Sequence, residues 1–202
     1  MKKRVWTSVF LACALFAASE ACAAQNGAVS ERSLFVSVLE ERPVLSDRAR
    51  IRKLVEFADK ARIKTLFIQV YRSNQSWFAS ELADDAPYRR NLKTVGEDPI
   101  ALLLREAHAR GIEVHAWLNL LSLSGNVRAP LLQKYGPDIL TRNALPKTKL
   151  SDYRIDNQYF LEPGDPRVTD TLSGIVGEVI RAYPELDGIQ FDYIRYPDWQ
   201  PQ

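Results

Sequence analysis

The sequence predicts an α/β fold of (β/α)8 TIM-barrel type, of which this chain supplies roughly the first four β/α units. Three observations predict it. Short apolar, β-branched runs alternate with longer stretches of helical periodicity, the pattern of βαβ units on a parallel sheet. The helix-to-strand links are short, while two strand-to-helix links, 72–97 and 121–164, are long. Long loops on one side only are where a barrel builds its site, at the C-terminal face of the strands. Finally, the turn after the first strand, Glu40-Glu41-Arg42-Pro43, has no glycine and two acids. It would repel the phosphate that the first turn of a doubly wound nucleotide fold must hold.

The elements follow in order. The first strand is 32–39 (RSLFVSVL), apolar and β-branched. A helix at 47–62 places Ile51, Leu54, Val55 and Ala58 at helical spacing. The second strand is 64–71 (KTLFIQVY). The helix at 98–110 begins with Asp98-Pro99 and ends before Gly111. An aspartate caps, a proline suits the first turn, and a glycine suits the stop. The third strand is 112–120 (IEVHAWLNL). A helix at 165–183 repeats the device with Asp165-Pro166 and turns Leu172, Ile175, Val176, Val179 and Ile180 inward. The fourth strand is 187–194 (DGIQFDYI). A closed barrel takes ~250 residues and eight strands. A chain of 202 residues with four strands is therefore expected to be the N-terminal half of a barrel, residues 25–202, truncated or a fragment.

Residues 1–24 read as a secretory signal. Lys2, Lys3 and Arg4 precede a mostly apolar run at 5–18, and Ala21, Cys22, Ala23 and Ala24 close it. The run is shorter than the ~20 residues a bilayer span needs, so cleavage after Ala23 or Ala24 and export to the periplasm or beyond are expected, with no stable membrane span left. A lipid anchor on Cys22 is the weaker reading, because Glu20 stands where such a site wants a small or apolar residue. Both cysteines, Cys13 and Cys22, lie in this leader. The domain that follows has neither a disulfide framework nor a cysteine metal site. No metal motif and no cofactor motif is visible. The formal charge of +2 comes from the leader, and the remainder balances at zero. That excludes the basic stripe a nucleic-acid partner requires.

Side chains alternate along a strand, so one face packs under helices and the other enters the barrel. In the second strand Leu66, Ile68 and Val70 are expected outward, and Phe67, Gln69 and Tyr71 inward. In the third, Val114, Ala116 and Leu118 face the helices, while Glu113, His115, Trp117 and Asn119 point inside. In the fourth, Ile189, Phe191 and Tyr193 face the helices, while Gln190 and Asp192 point inside. A barrel that needed only packing would fill the inner places with Val, Ile and Leu. Amides and carboxylates bond sugar hydroxyls, and aromatic rings stack on pyranose faces. For Gln69 and Gln190 a mutually satisfied structural network stands beside the sugar-binding reading. For His115 a satisfied interior histidine is the stronger reading, since only geometry promotes it to acid or base. Asp192 is the sharpest candidate. It faces inward near the C-terminal end of its strand, where an ionised carboxylate attacks an anomeric carbon or stabilises an oxocarbenium ion. A salt bridge to Arg195 is its structural alternative. Asp187, at the start of the strand, is expected to serve the turn.

The run DGIQFDYIRYP (187–197) resembles the fourth-strand signature of the bacterial glycosyl-hydrolase-like family 10 barrels. EAHARGIEVHAWLN (106–119) resembles their third helix–strand unit. Gln69-Val70 with Trp77-Phe78-Ala79-Ser80 resembles, more loosely, their second-strand loop, and Leu161-Glu162-Pro163-Gly164 their approach to the next helix, with Glu162 where Asp is commoner. The resemblance covers residues 33–199. It implies a TIM barrel, export to the envelope, and hydrolysis of glycosidic bonds, in some members those of peptidoglycan glycan strands. It implies Asp192 as nucleophile, with the acid/base carboxylate expected from a later strand. Glu162, Asp152 and Asp156 are the loop acids able to swing over the site. Sugar hydroxyls would be held by Gln69, Tyr71, Arg72, His115, Asn119, Gln190 and Arg195, and rings stacked on Trp77, Trp117 and Tyr196. The other reading is a non-catalytic carbohydrate-binding barrel or an inactive remnant.

Overall fold

The computed structural model describes residues 31–142 and 146–197. The signal-like segment 1–24, with both cysteines, lies outside the described residues. The chain runs β1 (Arg32–Val36), α1 (Arg48–Lys60), β2 (Ile63–Arg72), β3 (Gln75–Ser76), α2 (Ala86–Val95), α3 (Pro99–His108) and β4 (Glu113–Asn119). It continues β5 (Ser122–Ser124), α4 (Pro130–Tyr135), β6 (Tyr159–Phe160), α5 (Pro166–Ala182) and β7 (Gly188–Asp192).

Strands β1, β2, β4 and β7 are all parallel and neighbour one another in chain order. A doubly wound sheet reverses direction at its switch point. Here it never reverses. Crossovers of one hand then put every helix on the same side, which is how a barrel is wound. On that side Leu66, Ile68, Val114, Ala116 and Leu118 pack with Ile51, Val55 and Ala58 of α1, Leu103 and Ala107 of α3, and Ile175 and Val179 of α5, all buried. The other face carries Phe35, Phe67, His115 and Trp117. Phe35 stacks on Phe67 at 4.5 Å and meets Trp117 edge-on at 5.3 Å, yet remains 54% exposed. This is the face that becomes interior in a closed barrel.

The expected caps are present. Asp47, Asp98 and Asp165 each accept backbone N–H groups in the first turn of their helices, and Pro99 and Pro166 open theirs. After α3, Gly111 takes a left-handed φ of 63°, its N–H reaching His108 O, while Ile112 N–H reaches Ala107 O. This pair of bonds closes a Schellman motif.

Both long links hold structure that the periodicity did not reveal. The first forms a tight hairpin, β2–β3, and then α2. The second forms the antiparallel pair β5–β6 and α4. Buried backbone must find partners, and a link crossing the barrel mouth finds them by building its own small elements. Helix α2 carries the same marks as the others, a proline in its first turn and Gly96 at its end with φ 81°. The signal was there, hidden by a polar composition.

The expected alternation fails at two places. The pairing of β2 with β4 slips between Gln69 and Tyr71, so that Tyr71 stands opposite Leu118. The bulge turns Tyr71 onto the helix side. It is completely buried there, and its hydroxyl accepts a hydrogen bond from Asn74 Nδ2 at 3.2 Å. Tyr71 is therefore a core residue and no sugar ligand. At the end of β7, Tyr193 has φ 51° and leaves the strand path instead of packing under a helix. Phe191 is 41% exposed, because β7 lies at the edge of the described sheet.

Two predictions follow from the lower rim of the sheet. Asp187 Oδ2 accepts Val114 N–H at 2.7 Å and pairs with His108 Nε2 at 2.8 Å. Burial raises its pKa, but the Val114 bond and the nearby histidine outweigh it and leave the carboxyl below its ordinary value. Asp187→Ala is expected to cost about 1–2 kcal/mol in urea unfolding at pH 7. A depressed folded pKa means that this stabilisation holds at neutral pH and fades as pH falls below ~4; an unchanged difference at pH 3 would contradict it. Gly188 faces the His115 ring, and an added Cβ would sit 2.5 Å from Nδ1. Gly188→Ala should cost about 1–3 kcal/mol, and His115→Ala in the same chain should relieve most of it, a coupling that a double-mutant cycle measures.

Candidate active site

The inner-face side chains rise in layers toward the C-terminal ends of the strands. The lower layers hold Thr65 bonded to Glu113 and, above them, Phe67 and His115. The His115 ring lies edge-on to Phe67 at 5.0 Å and over Gly188, and its Nε2 approaches Glu113 Oε2 at 3.5 Å. His115 begins four residues before Asn119 on the same strand, roughly 13 Å lower at the usual rise. The structure thus keeps it in the packed base, apart from Asp192.

Above it the layers become polar. Gln69, Trp117 and Gln190 share one level, and Asn119 and Asp192 the next. Gln69 is 2% exposed and fully engaged. Its Oε1 accepts from Ser37 Oγ (3.0 Å) and Val38 N–H (3.2 Å), and its Nε2 donates to Asn119 Oδ1 (3.0 Å). Gln69 is the anchor of a structural network whose purpose is to aim Asn119. Asn119 is 7% exposed, and its Nδ2 has no hydrogen-bond acceptor among the described residues. That leaves one oriented donor for a ligand hydroxyl. Gln190 is half-exposed and turns its Nε2 to Phe191 O at 3.0 Å.

Asp192 ends β7 on the inner face. Its Oδ2 accepts Trp117 Nε1–H at 3.1 Å, and its Oδ1 accepts the Tyr193 N–H at 2.7 Å. The strand pairing runs on past the carboxylate, with Leu120 N–H on Asp192 O and Leu121 N–H on Tyr193 O. Both oxygens of Asp192 are thereby oriented from the protein side. The half-buried side chain keeps its remaining lone pairs for a ligand.

The other candidates divide. Arg72 ends β2 one residue past the bulge, half-buried, with Nη2 donating to Ser124 Oγ at 3.1 Å. Leu121 N–H bonds Tyr193 O, which joins the segment after Asp192 to the link that carries Ser124. Sequence reasoning placed Tyr193 under the helices, and no local signal would have moved it. Trp77 packs half-buried against the core, its backbone N–H bonded to Val70 O, so the structure gives its ring a packing role. Arg195 and Tyr196 lie exposed on the segment after β7. Tyr196 donates its hydroxyl to Glu162 Oε1 at 2.8 Å, which ties that segment to the long link. Of the loop acids, Asp152 is consumed by Thr148 and Lys149, whose groups pull its pKa down to about 2. Asp156 sits at a hairpin tip with φ 50°. Glu162 is the loop carboxylate held against the segment that follows Asp192. Among the described residues no cluster of metal-ligating side chains occurs, and no helix is long and apolar enough to cross a membrane.

Comparison with known proteins agrees with this architecture. Glycosyl hydrolase DigH of Escherichia coli K12 is 29% identical over 170 residues, a stretch that spans 82% of this chain and 38% of that protein. Among solved structures, a hypothetical protein from Ruminiclostridium thermocellum superposes with a TM-score of 0.54 at 19% identity, over 83% of this chain and 78% of the other. An alpha-galactosidase from Lactobacillus brevis does so with a TM-score of 0.52 at 16% identity, over 80% of this chain and 20% of the other. The last two bear on the fold alone. A family model, Glycosyl hydrolase-like 10, matches residues 31–200. Four parallel strands wound in chain order, a polar inner rim ending in Asp192, and this match together establish that the chain belongs to the glycosyl hydrolase-like 10 family.

Proposed function

We propose that the chain forms the nucleophile-bearing half of an exported glycoside hydrolase that cleaves O-glycosidic bonds in an envelope or extracellular polysaccharide, peptidoglycan glycan being the first to test. The observation that carries this reading is Asp192. A carboxylate stands at the C-terminal end of an inner-face strand with each oxygen oriented by one N–H donor. In this reading one lone pair attacks the anomeric carbon as the leaving oxygen departs, or the charge stabilises the oxocarbenium ion. The donors hold the carboxylate in place without neutralising it, so the geometry is set before substrate arrives. Asn119, braced by Gln69, supplies a hydroxyl-binding amide, and Trp117 offers ring surface. We assign the general acid to a carboxyl group from a later strand of the closed barrel, since retaining chemistry needs it ~5 Å from the nucleophile. The cationic start and short apolar run of residues 1–24 support export. A second reading, glycan binding without cleavage, is favoured by one fact: the loop carboxylates Glu162 and Asp152 are engaged by Tyr196 and by Thr148 and Lys149, and neither is held beside Asp192 as an acid.

Asp192→Asn in the full-length protein should lower hydrolysis of isolated peptidoglycan strands or exopolysaccharides on the order of 10³-fold or more, with the melting temperature unchanged. Undiminished turnover would remove Asp192 from the mechanism, and binding without turnover by the wild type would favour the second reading. Trp117→Phe keeps the ring against Phe35 and deletes only the donor to Asp192. It should lower kcat by roughly 10-fold while leaving KM close to its original value. An increase in KM alone would mean that Trp117 serves substrate stacking and not the carboxylate.

A further inference from the structure

Many arginines in this fold are held by carboxylates, and others, on the exposed surface, by carbonyl oxygens. Arg48 and Arg105 share Glu97, Arg52 and Arg110 share Glu106, and Arg167 forks onto Asp165. Arg72 is an exception that costs more, because it is half-buried. Its Nη2 meets a neutral hydroxyl, Ser124 Oγ. Its Nε is sealed from solvent and donates to nothing among the described residues. Burial pulls its pKa below the ordinary arginine value, though a guanidinium stays charged. A desolvated cation without a counter-charge is unfavourable until an anion arrives.

Its base is rigid. Ser73 and Asn74, the two turn residues of the β2–β3 hairpin, have φ 53° and 57°, the twist a two-residue hairpin wants. Asn126 Nδ2 donates to Ser73 O, and Asn74 Oδ1 accepts Leu131 N–H. These bonds clamp the turn to the link after β4. The register pairs Tyr71 with Leu118, each one residue before Arg72 and Asn119, and pairs Asn119 with Asp192, so Arg72 and Asp192 stand at the same end of the sheet, with the β2 and β7 backbones two strand spacings apart, about 10 Å. Outside the leader the chain is neutral, so an acidic polymer would be recognised at a point and not drawn by a general field.

We propose that Arg72 is a specificity-determining residue: its planar fork binds a carboxylate carried by the sugar beside the scissile bond, and the substrate class is an acidic, carboxylate-bearing glycan. This rests on the glycosidase reading above and narrows it. A fork of parallel N–H donors matches a carboxylate in a way that an ammonium does not.

The test uses the full-length protein and two probes, peptidoglycan strands and hyaluronan, each beside its carboxyl-reduced counterpart. The wild type should favour a carboxylate form by about 10-fold or more in kcat/KM. Arg72→Met should lose that preference by slowing more on the acidic form than on the reduced one, and Arg72→Lys should keep only part of it. Melting curves of both variants separate a folding defect from a recognition defect. Equal losses on acidic and reduced glycan, or a wild type indifferent to the carboxylate, overturn the inference and leave the glycosidase reading standing. A wild type that neither binds nor cleaves any of these or a neutral glycan overturns both.

Discussion

A parallel sheet wound in one direction buries one face under its own crossovers and leaves the other for the barrel interior. Everything functional in this chain depends on that asymmetry. The helix side is paid for with apolar residues, Leu66, Ile68, Val114, Ala116 and Leu118, all buried. The inner side is thereby free to carry amides, an indole and a carboxylate. The strands need no further apolar contribution from it to hold their register.

The inner face is graded along the strand direction. Its base, Phe35, Phe67 and His115, is built from ring contacts, while its upper layers are built from hydrogen bonds. Gln69 connects the two sides of this network, bonding back to β1 through Ser37 and Val38 and forward to Asn119 on β4. Trp117 then bonds to Asp192 on β7. The two sets of bonds touch all four strands between them. A buried amide with no partner is costly, and Gln69 meets that cost by bonding to its neighbours on both sides.

Several left-handed residues stand at the rim. Of the seven non-glycine residues with left-handed φ among the described residues, Ser73, Asn74, Ser124 and Tyr193 lie at the C-terminal ends of the strands, while Arg62, Asp156 and Asn157 lie elsewhere. Such residues persist only where their surroundings over-determine them. The Ser73 and Ser124 hydroxyls bond each other at 3.0 Å, and the Tyr193 N–H bonds Asp192. The strain is held by the same contacts that shape the rim.

The elements that local chemistry dictates were legible in the chain itself. Asp-Pro starts, the glycine stop at Gly111 and period-two strands mark the four parallel strands and the three helices between them, and the alternation in β4 and β7 places Trp117, Asn119 and Asp192 on one face. Helix α2 bore the same marks, but its polar composition masked them. What no local pattern contained is the slip between Gln69 and Tyr71, since the second strand alternates without a break up to Tyr71. Only the pairing with β4 decides it, by matching Tyr71 to Leu118 and so sending a phenol to the core and a guanidinium to the site. The left-handed turn at Tyr193 and the bond between Tyr196 and Glu162 are decided in the same way. Sequence patterns report which face a residue takes within one strand, but the relative register of two strands is a property of their pairing, and it exists only once the sheet has formed.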